Sequence, residues 1–270
     1  MRDTGGKEPL AGIGVLVTRP EHQSQRLAEL IRSLGGEPLL FPAMEIVALP
    51  DEATAPVLKR LPQFDLAVFT SQNAARLAMQ RIAQAGGLPA GMRVAVLGPG
   101  TASELKRFGV REMITPEADF DSEALLDALS GLKLAEKRVV IFRGQGGREL
   151  LGESLRRRGA EVEYVECYRR ARPRRDLAEL MPLWQQGSLR ASLATSSEIV
   201  TNLFDMAGEA CRPWLCQTPM FVSHPHVAAT AFAFGVHTVF VTRMGDEALA
   251  SGLETWFGRL RRVQPVACPS

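Results

Sequence analysis

VEYVECYRRARPRR, residues 162–175, reads as a β-strand that outruns its own sheet. It alternates, is rich in β-formers, contains no Gly and stops at Pro173. One sheet strand and its turn do not need so long a run. LLFPAMEIVAL, residues 39–49, has the same character and ends at Pro50. Two over-long strands predict a pair of extended connections carrying the chain between two domains. Tyr168, one of 2 tyrosines, lies in the middle of the second, where the mouth between the domains is expected.

Around these stretches the chain alternates strand and helix. Strands are expected at 12–18, 38–41, 66–69, 93–97, 112–114, 138–142, 162 onward, 191–194, 220–222 and 238–241. Between them lie amphipathic runs such as 21–34, closed by Gly35-Gly36, and 198–206. Repeated β-α-β units imply parallel sheets with right-handed crossovers. The two halves also repeat. GVLVTRPEHQSQRLAELIRSLGGE lies without a gap over RVVIFRGQGGRELLGESLRRRGAE, setting Arg19 on Arg143, an offset of 124 residues (19 to 143). LAVFTSQNAARLAM lies over ASLATSSEIVTNLF, and Glu123-Ala124-Leu125 over Glu247-Ala248-Leu249. A near-constant offset across several elements indicates duplication. Ten strands give five per domain in a plain tandem arrangement, and also when the first β-α-β joins the C-terminal half. The over-long stretches favour the second.

A chain of 270 residues fits one large or two ordinary domains. Hydrophobic content is 46% and net charge +2, values of an ordinary globular protein that give no reason to expect nucleic acid. Cys167, Cys211, Cys216 and Cys268 form no C-x-x-C pair and are expected as free thiols in a reducing compartment. Residues 1–11 are polar and expected to be disordered. With no leader-like apolar stretch and no membrane-length run, a cytoplasmic protein that touches no membrane is expected.

Ligands of parallel sheets bind beyond the carboxyl ends of the strands. There the sequence places Arg19, Thr70-Ser71-Gln72-Asn73, Gly98 with Gly100, Thr101 and Ala102, Arg143-Gly144, Thr195-Ser196-Ser197 and Ser223-His224. These small, hydroxylic turns open helices and present N–H groups suited to phosphate or carboxylate. Each Ser or Thr there reads first of all as an N-cap. Gly98-x-Gly100 lacks the third Gly of a dinucleotide site, and Gly144–Gly147 lacks the Lys of a P-loop. His224-Pro225-His226 reads as a turn rather than a metal site, and Asp119 and Asp121 read as caps. No G-x-S-x-G and no paired-carboxylate constellation is present. An enzyme of this kind works by holding a reactive substrate, with at most one proton donor. Tyr168 is the candidate, and it reads equally as a packing residue with a wet hydroxyl.

VLVTRP, FPAMEI, FTSQNA, VLGPGTA, FRGQGGRELL, VECYRR and the weaker ATSSE and VSHPHVA, in this order and spacing, resemble the uroporphyrinogen-III synthases over roughly residues 13–257. The resemblance implies two flavodoxin-like (Rossmann-type) three-layer α/β domains with parallel five-stranded sheets, joined by a two-stranded β-ladder. It implies boundaries of 1–42 with 173–262 for one domain and 48–165 for the other, with a ladder of 43–47 and 166–172 and a tail of 263–270. It implies a lyase that closes hydroxymethylbilane, a linear tetrapyrrole, to uroporphyrinogen III, with loss of water and inversion of ring D through a spiro intermediate. No metal or organic cofactor is implied. The substrate is a small molecule, a monomer is expected, and contact with the enzyme that makes the substrate would be transient. The family's sensitive Tyr falls on Tyr168, which would assist departure of the hydroxyl. Its Thr-Ser turn falls on Thr70-Ser71 and its Gly-x-x-Thr-Ala turn on Gly98, Thr101 and Ala102. The C-terminal turn departs from the family pattern, with Ser223-His224-Pro225-His226 where many members carry Thr. The rival expectations are a non-catalytic two-domain binder of a small polyanion and a glycosyltransferase-like enzyme, for which no ribose-binding carboxylate is well placed.

Overall fold

The computed structural model describes residues 8–263. The expectations for residues 1–7, for residues 264–270 of the expected tail 263–270 and for the Cys268 thiol lie outside them, while Val263 closes a helix. The strands in chain order are β1 (Gly14–Val17), β2 (Glu37–Leu40), β3 (Glu45–Ala48), β4 (Leu66–Phe69), β5 (Arg93–Val96), β6 (Arg138–Gly144), β7 (Glu161–Ala171), β8 (Leu189–Ala194), β9 (Met220–Val222) and β10 (Val239–Val241). The chain divides into two compact units, Met1–Glu45 with Ala171–Ser270, and Ile46–Arg170.

In the first unit the strand order is β10-β9-β8-β1-β2. The pairs β1/β2, β1/β8, β8/β9 and β9/β10 are parallel. All four residues of β1 are buried, as a strand covered on both faces requires. On one face Val15, Val17, Leu193 and Phe221 pack against Leu27 and Ile31 of helix Gln25–Ser33 and Leu249 and Leu253 of helix Asp246–Val263. Leu10 joins this cluster, fully buried, so Glu8–Ala11 form an ordered turn where disorder was expected. The helix expected at 198–206 runs on to Gln217 through a break at Gly208, whose φ of 57° is available to Gly at little cost.

In the second unit the order is β3-β7-β6-β4-β5, with β6/β7, β4/β6 and β4/β5 parallel. Alternate residues face opposite ways. Phe69, Val140, Phe142 and Val165 pack against Leu77 and Ile82 of helix Gln72–Gln84, and the Phe69 and Phe142 rings stack at 4.9 Å. Leu66, Val68, Val139 and Ile141 pack on the other side against Leu125, Leu151 and Leu155. This unit has helix, sheet and helix layers.

Two strand expectations are corrected. Residues 39–49 are not one long strand but the end of β2 and the whole of β3, which lie in different sheets. Pro42 has no N–H to continue a ladder, and the break falls there. Residues 112–114 reduce to a single parallel bridge, Ala95 with Ile114, because Pro116 follows at once. The fifth strand of this sheet is therefore β3, at the edge beside β7. The 124-residue offset (19 to 143) maps β1 on β6 and β2 on β7, and an offset of 125 (70 to 195) maps β4 on β8 with the turns that follow them. In that mapping both sheets have the same strand order, Ile114 standing beside β5 as β10 stands beside β9.

Candidate active site

The strand ends of the second unit enclose a cavity of about 380 Å³. Of the expected residues, Thr70, Ser71, Arg143, Gly144 and Tyr168 line it. Tyr168 is only 6% exposed. Its position comes from a bulge: Arg143 pairs with Glu166 but Gly144 pairs with Tyr168, leaving Cys167 unopposed. A bulge re-aims the side chain that follows it. The Gln145 N–H donates to the Tyr168 carbonyl (2.8 Å) and holds the bulge closed. The Tyr168 ring crosses the Cα of Gly144 so closely that a Cβ there would lie 2.6 Å from Cζ. Its hydroxyl meets the Ser71 Oγ at 3.1 Å. Ser71 is also the N-cap of helix Gln72–Gln84, accepting from the Ala74 N–H at 3.1 Å. One short helix start therefore fixes the phenol.

Arg143 is 9% exposed and lies 4.0 Å over the Tyr164 ring. Its Nη2 contacts Glu149 at 2.8 Å and Glu166 at 3.5 Å, and its Nη1 donates to the Gly147 carbonyl at 3.3 Å. Its Nε is buried without a hydrogen-bond partner among the described residues. The Arg143 guanidinium, followed by the Tyr164 hydroxyl, holds the Glu149 carboxyl below the usual range. Burial, then Glu149, pushes the Tyr164 phenol up. Burial pushes the Cys167 thiol up to about 12, so that thiol stays neutral beside the site.

The remaining expected residues stand at strand ends without lining this cavity. Gly98 lies under Phe120, a Cβ on it falling 3.2 Å from the Phe120 Cβ. Gly100 opens helix Pro99–Arg107 with Thr101, which is buried, and Ala102, whose N–H is taken by the Gly98 carbonyl. Gln72 is exposed and Asn73 buried. The Thr70 N–H is likewise taken, by the Phe142 carbonyl. Anion binding at these turns therefore has fewer main-chain donors than the sequence suggested. In the first unit Arg19 is paired through both Nη atoms with Asp246, at 2.7 and 2.8 Å. Ser196 caps helix Ser197–Gln217 as Ser71 does its counterpart. The Ser223 Oγ donates to the Thr195 carbonyl, Ser197 contacts His226 Nε2 at 2.9 Å, and the His224 Nδ1 accepts from the His226 N–H. The sequence reading missed Phe120, Ser122, Arg148, Tyr164 and Arg170, which also line the cavity. Phe120 stands between two acids read only as caps, and Asp121 does cap helix Ser122–Ala128. Half-exposed between those acids, Phe120 was the signal available. Among the described residues no His, Cys, Asp and Glu side chains gather as a metal site, and no helix is long and apolar enough to cross a membrane.

The family model for uroporphyrinogen-III synthase HemD matches residues 25–250. The chain is 32% identical to the uroporphyrinogen-III synthase of Salmonella typhimurium over 246 residues, 90% of this chain and 100% of that one. It is 37% identical to a putative uroporphyrinogen-III synthase of Methanothermobacter thermautotrophicus over 195 residues, 71% of this chain and 77% of that one. The structure of a mutant uroporphyrinogen III synthase from Thermus thermophilus shares the fold, with a TM-score of 0.57 at 22% identity, covering 93% of this chain and 99% of that one. The class is therefore that of lyases of tetrapyrrole biosynthesis, built on α/β parallel sheets. Within it, the chain belongs to the uroporphyrinogen-III synthase family.

Proposed function

We propose that the chain closes hydroxymethylbilane to uroporphyrinogen III with Tyr168 as the proton donor. The carbon–oxygen bond of the terminal hydroxymethyl group breaks, the phenol proton leaves with the oxygen as water, and the pyrrole nitrogen's electrons form the azafulvene. The azafulvene attacks the substituted carbon of ring D, and the spiro intermediate fragments and recloses with ring D inverted. The proton lost when the last ring regains aromaticity returns to Tyr168. The observation that carries this role is the nearly buried phenol on a cavity wall, its hydroxyl aimed by the Ser71 Oγ at 3.1 Å. A donor held at one angle and shielded from water suits departure of hydroxide as water.

The two units are read as two flavodoxin-like domains joined through residues 43–47 and 166–172. The acetate and propionate arms are read as held by the strand-end turns, with Thr70, Ser71, Arg143 and Gly144 nearest the reacting carbon. The protein is read as a cytoplasmic monomer that meets the enzyme supplying its substrate only in passing. Titrating the isotope-labelled protein with the type III product tests the binding surface. The expected result is amide shifts gathered at residues 70–73, 98–102, 143–145, 195–197 and 223–224. Shifts elsewhere, with none at 70–73 or 143–145, contradict it.

A further inference from the structure

The duplication places a filled and an unfilled version of one site in the same molecule. Arg19 lies just past the end of β1 and Arg143 next to the end of β6, and both guanidinium groups are close to buried, with side-chain exposures of 13% and 10%. Each has a buried Nε without a partner among the described residues. The offset that sets Glu123 on Glu247 sets Ser122 on Asp246 (122 to 246). The fold agrees, since Asp246 opens the helix after β10 and Ser122 opens the helix after Ile114.

The two sites differ at that position. In the first unit the Asp246 carboxylate takes both prongs of Arg19, at 2.7 and 2.8 Å. Planar two-pronged pairing is the strongest contact a guanidinium makes with a carboxylate. In the second unit Ser122 is too short to repeat it, and the cavity lies there, lined by both Ser122 and Arg143. Among the described residues no carboxylate takes both prongs of Arg143. Glu149, 51% exposed, holds Nη2 at 2.8 Å with Glu166 farther off at 3.5 Å, and Nη1 meets main-chain carbonyls at 3.3 and 3.5 Å. Arg148 and Arg170 line the same cavity and offset its acids.

We propose that one carboxylate arm of the substrate, an acetate or propionate, sits between Arg143 and Ser122 as Asp246 sits on Arg19. Glu149 is the exposed place-holder that yields to it. The inference rests on the synthase reading, and names the seat that orients the tetrapyrrole toward Tyr168.

Ser122→Asp installs in the second unit the carboxylate that the first already carries. The expected result is a KM for hydroxymethylbilane raised about tenfold or more, the loss of one charge-assisted contact, with kcat changed far less. Ser122→Asn has the shape without the charge and is expected to raise KM by only about threefold. A folded Ser122→Asp enzyme with the wild-type KM, or equal effects from Asp and Asn, overturns the proposal. If wild-type protein forms no type III isomer, the synthase reading fails instead, and the two failures are distinguishable. Should Ser122→Asp not fold, glutarate titrated into labelled wild-type protein carries the test. Shifts at the Ser122 amide and the Arg143 Nε–H are expected, and their absence at saturation overturns the seat.

Discussion

Tyr168→Phe lowers the rate of type III isomer formation by about 10²-fold or more, the contribution of a positioned general acid. The change removes one oxygen from a ring that is otherwise kept. The ring's packing in the core that contains Phe69, Phe142 and Val165 is unaltered. The structural loss is the contact with Ser71 at 3.1 Å, and Ser71 retains its cap on Ala74. Stability therefore falls by about 1 kcal/mol, one neutral hydrogen bond. Rapid-quench measurement of type III product, with a melting curve on the same preparation, checks both parts. Wild-type turnover in the Phe enzyme would leave Tyr168 a packing residue.

Gly144→Ala has the second largest expected effect, and it acts through the same phenol. A methyl at residue 144 would lie 2.6 Å from the Tyr168 Cζ and 2.9 Å from its hydroxyl oxygen. No real contact is that short, so the ring must turn away or the strand must shift. The strand is held by the β6/β7 ladder and by the Gln145 N–H on the Tyr168 carbonyl. The ring is the part that yields, and its hydroxyl leaves Ser71. Overpacking of this kind costs about 1–3 kcal/mol, which is a few degrees of Tm in a chain of this size. Turnover is expected to fall by about tenfold or more, since a misplacement near 1 Å costs up to about 10²-fold. In the Tyr168→Phe background the same substitution should remove little further activity, because the group it displaces is already gone. A folded Gly144→Ala enzyme with full turnover would separate Tyr168's placement from its role.

Much of this was legible before any coordinates. β1, β4 and β8 are short apolar runs closed by turn residues, and buried parallel strands need little else. The repeat was visible because Arg19, Gly35 and Glu37 recur as Arg143, Gly159 and Glu161. The caps of Ser71 and Ser196 followed from hydroxyl residues placed just before helical runs. Residues 39–49 misled because Pro42 was read as part of a continuous strand, when it marks a change of sheet. The helix expected at 198–206 runs on to Gln217 because a single positive-φ residue, Gly208, lets a second helical stretch follow at once. The bulge at Cys167 has no sequence signature. It arises from the register of two strands that pair only in the fold, and it decides where Tyr168 points. Ser122 was invisible for a related reason, since its meaning lies in the contrast with Asp246 and that contrast needs both sites in view.

The measurement that bears most directly on the account is the isomer composition formed from freshly made hydroxymethylbilane. The products are oxidised and the porphyrins separated, with and without the protein. Predominantly isomer III is expected with the protein present, and isomer I from the spontaneous closure alone. Isomer I alone, in the presence of demonstrably folded protein, would contradict it.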